Sequence, residues 1–97
     1  MERKSLDDFK KSFQDKSPSP ALSVYAQALW WAGKGNWDGA HDLIQDVNDR
    51  KASQIHAYLH RVEGDISNAN YWYAKAGSSM PDLSLEEEWE VLAKKHL

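Results

Sequence analysis

The sequence predicts an all-α protein, and three observations support that class. Apolar residues recur every three or four positions along most of the 97-residue chain, which is the spacing of one helix face. No segment of strand length alternates apolar and polar residues. In addition, residues 27–48 match residues 56–77 at a constant step of 29 positions, so that Gly35 falls on Gly64. A constant step of this kind is typical of a helical repeat.

The N-terminal half is predicted to contain a capping helix and a first helix–turn–helix unit. The capping helix covers about residues 5–15 and the unit about residues 20–48. We expect Ser19 to cap the first helix of this unit, with Pro20 at the first helical position. Gly35 supplies the left-handed backbone conformation that ends this helix.

The C-terminal half repeats the arrangement in the opposite order, with the unit first and the capping helix last. The second helix–turn–helix unit covers about residues 50–77, and Asp65 is expected to cap its second helix. The closing helix covers about residues 84–96. It begins with Ser84 and Glu87, whose spacing matches a capping box.

Composition excludes several classes of protein. A chain of 97 residues favours one domain, residues 1–97, and the lack of cysteine excludes a disulfide or a thiolate metal site. The formal charge of −3, with charges of both signs interspersed, lacks the basic surface of a nucleic-acid-binding protein. No apolar stretch approaches the roughly 20 residues of a membrane span, and the N-terminus does not resemble a signal peptide. By elimination we expect a cytoplasmic protein with neither nucleic acid nor membrane as its partner.

The second unit resembles the tetratricopeptide (TPR) repeat. The residues that match the TPR pattern surround its turn and are Gly64, Asp65, Ala69, Tyr73 and Ala76. The run WYAKA at 72–76 is similar to the Sel-like branch of that family, and HAYLHRVEGD is similar to a stretch of small bacterial TPR-like proteins. The resemblance implies a TPR-like α-solenoid fragment of two units between two capping helices. It also implies a binding module.

Two features depart from the TPR pattern. The step is 29 residues rather than the usual 34, and the shortening lies in the link between the two units. The inward positions that TPR units give to Leu and Tyr hold His56 and His60 in the second unit, and Gln27 and Trp31 in the first. The central helix is therefore expected to be covered on most sides, because its apolar stripe and its histidines lie on different faces.

The histidines allow three interpretations that the sequence leaves open. His56 and His60 are four residues apart and share a helix face, and His41 could approach them from the other unit. They could pack structurally, recognise a polar ligand, or bind a metal ion. The chain shows no nucleophile motif and no glycine-rich phosphate loop, so no catalytic residue, metal or cofactor is assigned.

The function predicted from these observations is recognition of a peptide or protein segment in the groove between the first helices of the two units. The predicted binding residues are Trp31, His41, His56, His60 and Arg61. Arg61 is also expected to form a salt bridge with Asp65. Two alternatives remain: a small metal-dependent or hydrolase-like enzyme that uses the three histidines, and a structural subunit that self-associates. The sequence leaves a homo-oligomer open.

Overall fold

The computed structural model describes residues 5–97, and this range contains helices and no strand. In chain order the α-helices are α1 (Leu6–Lys11), α2 (Val24–Gly33), α3 (Trp37–Ile44), α4 (Arg50–Val62), α5 (Ile66–Lys75) and α6 (Leu85–His96). A 3₁₀ turn, Ser12–Gln14, continues α1. The all-α prediction is therefore confirmed. None of the described helices is long and apolar enough to cross a membrane.

Polar caps begin the helices, and one predicted cap is wrong. Asp65 accepts a hydrogen bond from the backbone of α5, and Ser84 with Glu87 forms the predicted capping box of α6. The cap of α2, however, is Ser23 rather than Ser19, so Pro20 lies outside the helix. Ser23 Oγ accepts a hydrogen bond from an α2 backbone N–H at 3.1 Å, which satisfies a group that the helix itself leaves unpaired.

Helices α2 and α3 pack together as one hairpin, and α4 and α5 pack together as a second. The turns of the two hairpins place a glycine at the equivalent position, Gly35 with φ 87° and Gly64 with φ 83°. A Cβ atom added to either glycine would have no neighbour within 4 Å. Backbone conformation, and not lack of space, is therefore what requires glycine at both turns.

Small residues lie where the helices of each hairpin meet. The four alanines at matching repeat positions have no exposed surface, and they are Ala28, Ala40, Ala57 and Ala69. A methyl side chain lets two helix backbones approach closely, and larger neighbours such as Tyr73 then fill the adjoining space.

Helix α4 is the central element of the fold, because α2, α3, α5 and α6 all pack against it. Residues 55–60 are buried without interruption. The apolar stripe of Ile55 and Leu59 and the histidine face are thus buried at the same time, as the sequence predicted. The stripe ends earlier than expected, since Val62 in the last turn is 42% exposed.

Helix α6 packs across α2 and α4, the first helices of the two hairpins. Trp89 fixes this position: its indole Nε1 donates a buried hydrogen bond to the backbone oxygen of Leu29 at 2.8 Å, and its ring stacks on Phe9 of α1. The closing helix was predicted to cover an open end of the repeats. It covers instead the face formed by α2 and α4.

Candidate functional site

Three histidines meet between the two hairpins. His41 comes from α3, and His56 and His60 come from successive turns of α4. One ring nitrogen of each histidine lies within 4.8 Å of those of the other two. His56 and His60 are buried and His41 is half-buried. We call these three residues the histidine triad.

Two tryptophans hold the rings of the triad in place. Trp72 stacks on His56 with 3.8 Å between ring centroids and 15° between planes, and Trp37 stacks on His41 at 4.7 Å and 12°. Trp37 Nε1 also donates a hydrogen bond to the backbone oxygen of Leu59 at 2.6 Å, so α3 is tied to α4 beside the triad. Packing and hydrogen bonding of this kind pre-organise a site, because the rings have little freedom to rotate.

A carboxylate determines the tautomer of His60. His60 Nδ1 lies 2.6 Å from Oε1 of Glu63. An ionised carboxylate only accepts hydrogen bonds, so Nδ1 carries the proton and the Nε2 of neutral His60 presents a lone pair. The side-chain amide of Asn68 on α5 lies 3.5 Å from this Nε2.

The other two histidines share a single proton. His41 Nε2 and His56 Nε2 are 3.1 Å apart, and a hydrogen bond between two ring nitrogens needs one donor and one acceptor. Burial lowers the pKa of His56 from 6.5 to about 4, and the neighbouring His60 and His41 add to this shift. His56 is therefore neutral at pH 7.

Arg61 does not join the triad but belongs to a second buried polar group. Its Nη1 donates to Oε1 of Glu88 at 2.9 Å, and its Nη2 donates to the backbone oxygen of Leu83. The Tyr73 hydroxyl donates to the same carboxylate, with 2.6 Å to Oε2. The predicted salt bridge with Asp65 is wrong, because α6 brings a buried carboxylate to Arg61. Glu88 has no sequence signal that separates it from its exposed glutamate neighbours.

Trp31 also lies apart from the triad. It is half-buried, it meets Trp30 edge-to-face at 5.0 Å, and it packs against the main hydrophobic core. Of the five predicted binding residues, the structure therefore brings together the three histidines and places Trp31 and Arg61 elsewhere. The face between α2 and α4, where the predicted groove would lie, is covered by α6.

An open cleft of about 250 Å³ lies where the start of α4 meets the ends of α5 and α6. Its lining carries three cationic side chains and no carboxylate, and consists of Arg50, Lys51, Gln54, Ala76, Ser78 and Lys95. Within residues 5–97, no carboxylate forms an ion pair with any of these cations. We call this feature the cationic cleft. The sequence does not reveal it, because Lys95 is more than 40 positions from the adjacent pair Arg50 and Lys51, and only the packing of the helix ends brings the three cations together.

The chain matches no protein-family model, no curated protein and no solved structure at a significant level. The geometry of the histidine triad and of the cationic cleft is therefore the basis for assigning a function.

Proposed function

We propose that this protein is a small TPR-like binding module, and that it binds an acidic segment of a peptide or protein partner in the cationic cleft. The observation that carries the proposal is the grouping of Arg50, Lys51 and Lys95 around an open cleft without a carboxylate. The chain as a whole has a formal charge of −3. Unpaired cations concentrated at one place on an acidic protein favour a partner of negative charge.

The TPR-like part of the proposal is supported by the matched hairpins. Each hairpin has a positive-φ glycine at its turn, a side-chain cap on its second helix, and fully buried alanines at its crossing. These features recur at the 29-residue step that the sequence shows. Stacked helical hairpins are scaffolds that present binding surfaces, so they support a binding role rather than a catalytic one.

The position of α6 decides which surface a partner can use. Trp89 and Glu88 of α6 make hydrogen bonds to α2, α4 and α5, so the face between the first helices is occupied by the chain itself. The cationic cleft is formed by helix ends and stays open to solvent. A partner therefore reaches the cleft without displacing any helix.

The chemistry of the cleft suits carboxylates. The guanidinium of Arg50 can bind a carboxylate through two parallel hydrogen bonds, and the ammonium groups of Lys51 and Lys95 add charge without demanding one geometry. The amide of Gln54 is already bonded to Lys95 Nζ through its oxygen at 3.2 Å, which leaves its NH₂ group available as a donor. Contacts between exposed charges are each weak, so we expect moderate affinity that falls as salt is raised.

The test is a binding titration with a short fluorescein-labelled peptide rich in Asp and Glu, measured by fluorescence anisotropy. Arg50→Glu and Lys95→Glu should each weaken binding about tenfold or more, which corresponds to ~1.4 kcal/mol. Lys94→Glu is the matched control, because it makes the same change of charge on α6 outside the cleft lining, and it should have a much smaller effect.

Three results would overturn the proposal. The first is the absence of saturable binding by the wild-type chain at low salt. The second is an equal effect of all three charge reversals, which would indicate attraction by net charge alone. The third concerns a control peptide in which Asn and Gln replace Asp and Glu: the proposal fails if this peptide binds as tightly as the acidic one.

A further inference from the structure

We propose that His41, His56 and His60 bind one divalent transition-metal ion, Zn²⁺ or an ion of similar chemistry, which links the first hairpin to the second. This inference goes beyond the proposed peptide-binding function and depends on different residues. Neutral imidazole is a ligand that zinc, nickel, cobalt and copper ions share in proteins. Three histidines that meet at one place therefore define the class of ion.

The count of protons within the triad leads to the proposal. In the neutral triad His60 donates its Nδ1 proton to Glu63, so its Nε2 is bare, and His41 and His56 share one proton between their two Nε2 atoms. Three Nε2 atoms thus carry one proton, and two lone pairs remain. One of these lone pairs accepts the shared proton, and the other, on His60 Nε2, has only the long 3.5 Å contact from Asn68. A buried acceptor without a good donor is unfavourable, and a metal ion gives every Nε2 lone pair a partner.

The distances fit coordination after a small adjustment. Zinc binds histidine nitrogen at about 2.0–2.1 Å, so tetrahedral ligand nitrogens lie about 3.3 Å from one another. The Nε2 atoms of His41 and His56 are already 3.1 Å apart, and one ring nitrogen of each of the three histidines lies within 4.8 Å of those of the other two. A small displacement of the His41 or His60 side chain, with the rings still stacked, closes the remaining gap. Asn68 or a water molecule can supply the fourth ligand.

When all three histidines are neutral, the triad can bind the metal ion without gaining or losing a proton. The histidine that now donates from Nε2 moves its proton to its own Nδ1, and each of the three Nε2 lone pairs then forms one bond to the ion. His60 needs no change, because Glu63 already holds its Nδ1 proton. A carboxylate that accepts from the far nitrogen of a ligating histidine orients the ring and increases its basicity, as in many zinc sites.

The ion is expected to have a structural role and to hold the two hairpins together. His41 belongs to the first hairpin and the other two ligands belong to the second. The site is surrounded by Trp37 and Trp72, which leaves little room for a substrate. A buried site of this kind suits a structural ion, and ion binding should stabilise the folded chain by mass action.

The test is isothermal titration of chelator-treated full-length protein with zinc chloride, followed by thermal unfolding with and without the metal. We expect one ion per chain and a higher Tm in its presence. His41→Gln should weaken binding at least tenfold, and Glu63→Gln should weaken it about tenfold through the loss of its support for His60. His96→Gln is the matched control, since His96 is the fourth histidine and lies outside the triad.

A second measurement keeps the proposal testable if His41→Gln does not fold. Two-dimensional NMR of the imidazole nitrogens in the wild-type chain should show shifts in three of the four histidine rings when zinc is added, with His96 unchanged. The proposal is overturned if zinc causes no saturable heat change. It is also overturned if the ring of His96 shifts while the triad rings do not, or if His96→Gln and His41→Gln weaken binding equally.

Discussion

Replacing Glu88 with alanine is expected to remove a large share of the stability of this protein. Glu88 is 3% exposed, and its carboxylate accepts hydrogen bonds from two side chains, Arg61 at 2.9 Å and Tyr73 at 2.6 and 2.8 Å. Burial, and the bond to this carboxylate, raise the pKa of the Tyr73 phenol, so the hydroxyl remains a donor. The carboxylate thus joins α4, α5 and α6 at one point.

The magnitude follows from what the alanine variant leaves behind. Removing one partner of a buried ion pair typically costs about 3–5 kcal/mol, because the other charge stays buried without compensation. The Arg61 side chain is 16% exposed and keeps its bond to Leu83, so water can relieve part of the penalty. We therefore expect a loss of ~3 kcal/mol for Glu88→Ala. Glu88→Gln keeps the shape and one acceptor oxygen, and should lose ~1–2 kcal/mol.

The assay is urea unfolding followed by tryptophan fluorescence. A domain of this length has a total stability of about 5–15 kcal/mol, so the alanine variant should show a clearly lower midpoint. Glu86→Gln is the control, because Glu86 is an exposed glutamate of the same helix turn. Equal midpoints for Glu88→Ala and Glu86→Gln would refute the reasoning, since they would show that the network contributes nothing beyond surface charge.

Two further predictions concern packing and pH. Ala69→Leu should destabilise the fold by roughly 1–3 kcal/mol, because Ala69 has no exposed surface and packs against Ala57 and Tyr73. An unchanged Tm would contradict the position of Ala69 at the helix crossing. With a chelator present, the contribution of His56 to the free energy of unfolding should be complete above pH 6.5 and should fall by up to ~3 kcal/mol as the pH is lowered to 4. The reason is that His56 takes up a proton in the unfolded chain near pH 6.5, whereas its pKa in the folded chain is about 4. His56→Phe retains a ring to stack on Trp72 and should remove that part of the pH dependence; an identical slope in both proteins would contradict the assignment.

Much of the helical architecture was predictable because its signals are local. Turn glycines such as Gly35 and Gly64 require a backbone conformation that other residues adopt poorly, and caps such as Asp65 satisfy backbone groups within three residues. The start of α2 was mispredicted because Ser19 and Ser23 both offer a cap. Proline after Ser19 favours the earlier start, but the earlier serine is used in a turn, with its Oγ accepting from the Ala21 N–H.

The histidine triad was predictable in part, because a four-residue spacing on one helix places His56 and His60 together. The approach of His41 depends on how the hairpins pack, which the sequence left open. Glu88 and the cationic cleft depend on the path of α6, and that path is determined by tertiary contacts such as the Trp89–Leu29 hydrogen bond. No local sequence pattern shows whether α6 covers one end of the two stacked hairpins or lies across α2 and α4.

The short link between the hairpins helps to position the histidine triad. Only residues 45–49 separate α3 from α4. A link this short holds the end of α3 against the start of α4, and the Trp37 bond to the Leu59 backbone fixes the other end of the contact. His41 lies between these two restraints, which brings its ring to 3.1 Å from His56. Lengthening the link should therefore loosen the triad before it disturbs either hairpin, and histidine-ring NMR of an insertion variant would detect that separation.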